Sequence, residues 1–242
     1  MSRDWRQRQL PNSIYSLSSQ AQLIRDAQAC SICSRMVCSR RVLTDHNGNW
    51  SADVMFVAEA PGRLGAEVTG VPLFGDRTGD RFEQLLKAMC WSRSAIFITN
   101  AILCNPRDGK GNNDRPTTEE IRNCSELLKR TLDVVNPRLV VALGRVALEA
   151  LGRIVDHDCQ IKRSAGQVIP WNRRYLGVLY HPGPRTAIHR PWVEQINDAK
   201  KIAAFAEKLK LAVSLPGQVP ILQECTLPTQ MANDLESAYE LD

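Results

Sequence analysis

Asp53–Met89, DVMFVAEAPGRLGAEVTGVPLFGDRTGDRFEQLLKAM, is the stretch around which the rest of the chain is arranged. It opens on the apolar run Val54-Met55-Phe56-Val57, the pattern of a strand buried on both faces. The run breaks at Ala58-Glu59-Ala60-Pro61-Gly62, a turn carrying one carboxylate, and a loop with four more glycines and Pro72 follows. Helical spacing then begins near Phe82, Leu85, Leu86 and Met89. A strand, a Gly/Pro-rich loop and a helix is how open α/β sheets build ligand sites, outside the carboxyl ends of their strands. Taken alone, the stretch reads as an ordinary βα connection. The segments around it change that reading.

Downstream, Ile96-Phe97-Ile98-Thr99 predicts a second buried strand that delivers Asn100 to its carboxyl end, with Cys104 four residues on. Arg107 to Arg115, RDGKGNNDR, has no apolar residue and reads as an exposed loop. Thr117 and Glu120 form a capping box for a helix that carries Ile121, Cys124, Leu128, Leu132 and Val135 on one face. Leu139–Leu143 is a third strand, ending at Gly144, and Tyr175–Tyr180 a fourth, delivering His181-Pro182-Gly183-Pro184. The last helix places Trp192, Ile196, Ala199, Ala203 and Ala206 on one face. Residues 153–174 show no clear period. Upstream, a short helix over Ala21–Ala29 runs into Cys30-Ser31-Ile32-Cys33, with Cys38 beyond and Arg35, Arg40 and Arg41 beside it.

The fold class this order predicts is α/β: a three-layer α/β/α sandwich with a mainly parallel, four-stranded central sheet. One domain spans residues 18–211, between an irregular basic segment, 1–17, and an acidic tail, 212–242. Three strands end in polar groups of catalytic type, Glu59, Asn100 and His181. In a parallel sheet, strand ends of this kind share one crevice.

With 43% hydrophobic and 24% charged residues, the 242-residue chain has the composition of a soluble globular protein. No apolar run reaches the roughly 18 residues of a membrane span, and the start, MSRDWRQRQLPNS, lacks the apolar core of a signal peptide. A cytosolic (cytoplasmic) monomer is the expectation. In that compartment, eight cysteines point to metal or redox chemistry before disulfides. The C-x-x-C pair is compatible with a redox pair, half of a metal site, or two unpaired thiols. The net charge of +5 is unevenly spread: residues 213–242 hold five acids and no Lys or Arg, so the remainder is strongly basic. A basic body suits a polyanion partner.

Three blocks carry a specific resemblance: Ala58-Glu59-Ala60-Pro61-Gly62; Ile98-Thr99-Asn100 with Cys104; and Tyr180-His181-Pro182. Together they resemble the signature blocks of the uracil-DNA glycosylase superfamily, most closely its iron–sulfur branch, family 4. The likeness covers roughly residues 28–210. Departures are visible. Ala58 stands where the first block usually has Gly. Pro72-Leu73-Phe74 puts one residue between the Pro and the Phe that normally follows it. Gly75-Asp76-Arg77-Thr78-Gly79-Asp80 and His181-Pro182-Gly183-Pro184-Arg185 lean towards family 5, although that family lacks the carboxylate at Glu59.

The resemblance implies an enzyme that hydrolyses the N-glycosidic bond of uracil, and by extension other deaminated bases, in DNA and leaves an abasic site. It implies a catalytic set of Glu59, Asn100 and His181. The uracil pocket would be formed by Ala58, Glu59, Ala60, Phe74, Asn100 and His181, with Leu73 the alternative to Phe74 for stacking on the base. Cys30, Cys33, Cys104 and Cys124 match the ligands of a [4Fe-4S] cluster, while Cys38, Cys90, Cys159 and Cys225 have no counterpart. Lys110, Arg115, Arg185 and Arg190 are candidate contacts to DNA phosphates. Two other readings stay open: a cluster-containing protein that binds DNA or a modified base without cleaving it, and a zinc-stabilised α/β protein unrelated to DNA.

Overall fold

The structure, a computed structural model, describes residues 13–213, with side chains from residue 18 onward. Most of the basic segment, the acidic tail beyond Val213 and Cys225 lie outside the described residues. Helix α1 (Ser13–Ala29) begins well before the Ala21 start read from the sequence, so part of the segment expected to be irregular is helical.

The sheet has five strands among the described residues: β1 (Val54–Ala58), β2 (Phe97–Asn100), β3 (Leu139–Leu143), β4 (Val168–Trp171) and β5 (Arg174–Leu179), in the order β2-β1-β3-β5-β4. The first four in that order run parallel and β4 is antiparallel to β5. The expected count of four was one short. The missed strand, β4, is a half-exposed edge strand containing Pro170, so it shows neither a buried apolar run nor clean alternation. It joins β5 through Asn172 and Arg173, both at positive φ (45° and 58°), which is the two-residue hairpin geometry of a primed turn. The usual Asn-Gly signal of that turn is absent.

Alternate strand residues face opposite layers, as a pleated strand requires. Val54, Phe56, Ile98, Val141 and Leu179 pack with α3 (Arg77–Met89) and α7 (Trp192–Lys208). Met55, Val57, Phe97, Val140 and Val178 pack under α1, α4 (Thr118–Val135) and α5 (Arg145–Gly152). The three-layer sandwich is therefore as expected. Two single-turn helices, α2 (Ala66–Thr69) and α6 (Ile161–Ser164), complete the set. The capping box at α4 forms as read: Thr117 Oγ1 accepts from Glu120 N, and Glu120 Oε2 accepts from Thr117 N.

Between β1 and β2 the chain moves one way across the sheet; β3 then lies on the other side of β1. Such a reversal opens a crevice at the carboxyl ends of β1 and β3, the usual ligand position in doubly wound sheets. The site residues are delivered there.

Candidate active site

Ala58 and Asn100 are register partners at the ends of β1 and β2, so the two strand termini lie side by side. The chain beyond β2 stays bound to the β1 turn, with Ala101 N donating to Ala58 O (2.7 Å) and Ile102 N to Glu59 O (3.2 Å). Glu59 and Asn100 are thereby held next to each other. Asn100 is 2% exposed, and its Nδ2 has no hydrogen-bond partner within the protein. A buried amide donor left unpaired costs free energy on the order of 1–3 kcal/mol, so an unpartnered one at the mouth of a crevice marks a place for a ligand acceptor.

His181 arrives from β5. Gly144 N donates to Leu179 O (2.8 Å), which draws the start of α5 against the His181 turn. Gly144 has φ of +90°, and a Cβ there would lie 3.1 Å from His181 Cβ, so glycine is required on both counts. His181 Nδ1 accepts from Gly183 N (3.1 Å). An Nδ1 that accepts is unprotonated, which leaves the proton of the neutral ring on Nε2. Burial pushes the imidazole pKa down to about 4, against a weaker opposing pull from Asp76.

Asp76, given no role in the sequence analysis beyond the Gly75–Asp80 block, caps α3 by accepting from Gly79 N (2.9 Å). Its Oδ2 approaches Gly62 and Gly65 so closely that a Cβ at either would stand 2.7 or 2.5 Å away. The glycines after Glu59 therefore let the β1 turn fold down onto the start of α3. Burial raises the pKa of Glu59, while the positive charges of Arg115 and Arg145 oppose that shift. Arg145 was also missed, although it follows Gly144 at the end of β3, where the same strand-end rule would have found it.

Leu73 and Phe74 separate cleanly. Leu73 is 7% exposed, belongs to the α3/α7 core and has φ of 51°. Phe74 is 49% exposed, with the Arg93 guanidinium 5.9 Å from its ring centroid. Of the cationic candidates, Lys110, Arg115 and Arg185 are exposed. Arg190 is different: its guanidinium makes two 2.8 Å hydrogen bonds to Asp198, a fully buried carboxylate on α7. It is therefore already engaged within the fold.

Cys104 and Cys124 are buried, and Cys30 and Cys33 are half-buried. Burial pushes the thiol of Cys104 up to about 11 and that of Cys124 up to about 12, and the sulfurs of Cys30 and Cys33 lie near enough to push both in the same direction. Asn123 Nδ2 donates to Cys33 Sγ at 3.6 Å. Among the described residues no group of three or more His, Cys, Asp or Glu side chains is set to hold a metal ion. Cys38 is exposed, and Cys159 sits apart beside His157.

Two of the arginines near the C-x-x-C pair, Arg35 and Arg41, are engaged within the fold. Arg35 donates to both carboxylate oxygens of Glu120 (2.6 and 2.7 Å), to Asp114 Oδ2 (2.7 Å) and to Arg115 O (3.0 Å). Arg41 holds the carbonyls of Cys30, Val37 and Ser39.

A carboxylate, a buried amide with an unpaired donor and a neutral histidine at the carboxyl ends of a doubly wound sheet form a candidate active site. Residues 46–210 match the model of the uracil-DNA glycosylase superfamily. The chain is 31% identical over 168 residues to the type-4 uracil-DNA glycosylase of Archaeoglobus fulgidus, covering 66% of this chain and 80% of that protein. It is 30% identical over 161 residues to the type-4 enzyme of Sulfurisphaera tokodaii (64% and 70%). To the type-5 enzyme of Pyrobaculum aerophilum it is 32% identical over 150 residues (57% and 64%). The chain belongs to the uracil-DNA glycosylase superfamily, with likeness to both type-4 and type-5 members.

Proposed function

We propose that this protein excises uracil from DNA by hydrolysing the bond between the base N1 and the sugar C1′, leaving an abasic site. The observation that carries the proposal is the unpartnered Nδ2 of Asn100. An extruded uracil offers an acceptor at O4 and a donor at N3. The Asn100 amide answers both, Nδ2 donating to O4 and Oδ1 accepting from N3–H. Cytosine presents the reverse pattern and would leave the buried amide facing like groups. Phe74, exposed at the rim, stacks on the base.

As the glycosidic bond breaks, negative charge collects on the base and positive charge on the sugar. The Nε2–H of neutral His181 donates to uracil O2, a bond that strengthens as that charge develops. Glu59, kept near Arg115 and Arg145, faces the sugar side as a carboxylate, where it steadies positive charge and orients the attacking water. Exposed Lys110, Arg115 and Arg185 serve the DNA phosphates.

Cys30 and Cys33 lie close enough to Cys104 and Cys124 to influence their titration, and four such thiols are the donor set that a [4Fe-4S] cluster takes. When bound, the cluster supplies a structural cross-link between the segment after α1 and α4, away from the reacting atoms.

The experiment is single-turnover excision from uracil-containing DNA, with alkali to reveal abasic sites. Wild type cleaves, and His181→Ala retains fold and DNA affinity but loses about 10²–10³ in rate, the cost of removing one transition-state donor. Wild type that binds without cleaving would overturn the proposal. Equal rates in wild type and His181→Ala would overturn the role of the histidine.

A further inference from the structure

Asn105 follows Cys104 on the segment leaving β2 and is 1% exposed. Its side-chain Nδ2 donates to Pro61 O (2.6 Å) and to Asn113 Oδ1 (2.9 Å), and Asn113 Oδ1 also accepts from Arg63 N (2.9 Å). One amide thus reaches both sides of Gly62 in the turn that carries Glu59. Its Oδ1 accepts from Arg107 Nε (3.1 Å), and Arg107 pairs through Nη2 with Glu67 (2.9 Å) in α2. The backbone carbonyl of Asn105 accepts from Ser39 Oγ (3.1 Å), in the segment that Arg41 ties to Cys30.

Two separate pieces of chain meet at this side chain, the Glu59 turn and the 107–115 loop, and a third, the segment after the C-x-x-C pair, meets the backbone carbonyl of the same residue. The Glu59 turn needs such a tether. Beyond Ala58 it has left the sheet, and the two glycines at 62 and 65 that admit Asp76 have no side chains with which to hold it.

We propose that Asn105 is a positioning residue for the glycosylase reaction: it fixes the Pro61–Arg63 turn and through it the aim of Glu59. Asn105 touches neither base nor sugar. Its two N–H donors hold one carbonyl of the turn directly and one amide of the turn through Asn113, so Glu59 is clamped from its C-terminal side while Ile102 N clamps its own carbonyl. A misplacement of about 1 Å in a catalytic group is enough to cost on the order of 10²-fold in rate. The inference rests on the role of Glu59 given above.

The test is a double-mutant cycle on single-turnover excision with Asn105→Ala and Glu59→Gln in the full chain. Asn105→Ala is expected to lower the rate by about 10–100-fold while binding of uracil-containing DNA changes by less than about threefold. In the Glu59→Gln background the same change is expected to cost little more, because the group it aims is already altered. Multiplicative losses in the double mutant would overturn the positioning role. A Glu59→Gln enzyme with wild-type rate would overturn the role of Glu59 and this inference with it, leaving Asn100 and His181 untouched. Should Asn105→Ala fail to fold, Asn105→Asp takes its place. It keeps the side-chain volume and the acceptor for Arg107 but loses both donors, and it carries the same expectations.

Discussion

His181 shows how one backbone hydrogen bond fixes a protonation state. Because Nδ1 accepts from Gly183 N, protonating the ring there requires breaking that bond as well as charging a desolvated group. Its pKa falls to about 4 from an ordinary 6.5, so between these values the unfolded chain binds a proton that the folded chain does not. Stability therefore rises with pH across that window, and the histidine makes no difference above it. Urea unfolding should show wild type losing on the order of 1–3 kcal/mol more than His181→Gln between pH 7 and pH 4. Parallel losses in the two proteins would mean that His181 is not desolvated. At the neighbouring rim, the core position of Leu73 and the exposure of Phe74 point to different costs. Phe74→Ala should leave the unfolding midpoint nearly unchanged and weaken binding of uracil-containing DNA by roughly 1–3 kcal/mol, the range for base–aromatic stacking. Leu73→Ala should do the reverse, with a stability loss of about 2–5 kcal/mol.

At the scale of elements, what could be read beforehand was whatever depends on neighbours in sequence. The α4 capping box needs only Thr117 and Glu120, three residues apart, and the inward face of α4 needs only its spacing. The strand-end positions of Glu59, Asn100 and His181 were legible because a buried parallel strand announces where it ends. The pairing of Arg190 was not legible, because its partner, Asp198, is a buried acid on α7 that looks from the sequence like any helix surface carboxylate. Asn105 and Arg35 were not legible as tethers, since their partners lie up to 85 residues away. The Arg35 hub joins the C-x-x-C segment to α4 at Glu120, one turn before Cys124, so an ion pair links two segments on which candidate thiols stand. Protein purified without air should be brown and contain about four irons per chain. Cys124→Ser should lose iron and solubility together, and stoichiometric zinc in colourless protein would contradict the assignment.

Over the whole molecule, the distinction between engaged and free cations becomes a measurable slope. Removing one phosphate-binding cation should reduce the dependence of log affinity on log salt by about 0.9 for duplex DNA. Arg185→Ala should show that reduction at unchanged stability. Arg190→Ala should leave the slope alone and cost about 1.5–3 kcal/mol of stability, because it removes both guanidinium hydrogen bonds from the buried Asp198 carboxylate and leaves it Lys201 as partner. An Arg190→Ala protein with a reduced slope and full stability would restore that residue to the DNA face. The sheet also has two borders, and both are closed to company. Along β2, the 42–49 segment lies against the strand and the residues leaving it: Val42 N donates to Leu103 O, Asn49 N to Ile96 O, and Asn47 Nδ2 to Ile98 O. At the far border β4 is short and interrupted by Pro170, which has no N–H to offer. Unpaired strand borders are where one polypeptide recruits another into a growing sheet. With both filled or blunted, this molecule can be concentrated along a charged polymer such as DNA without its sheets joining edge to edge.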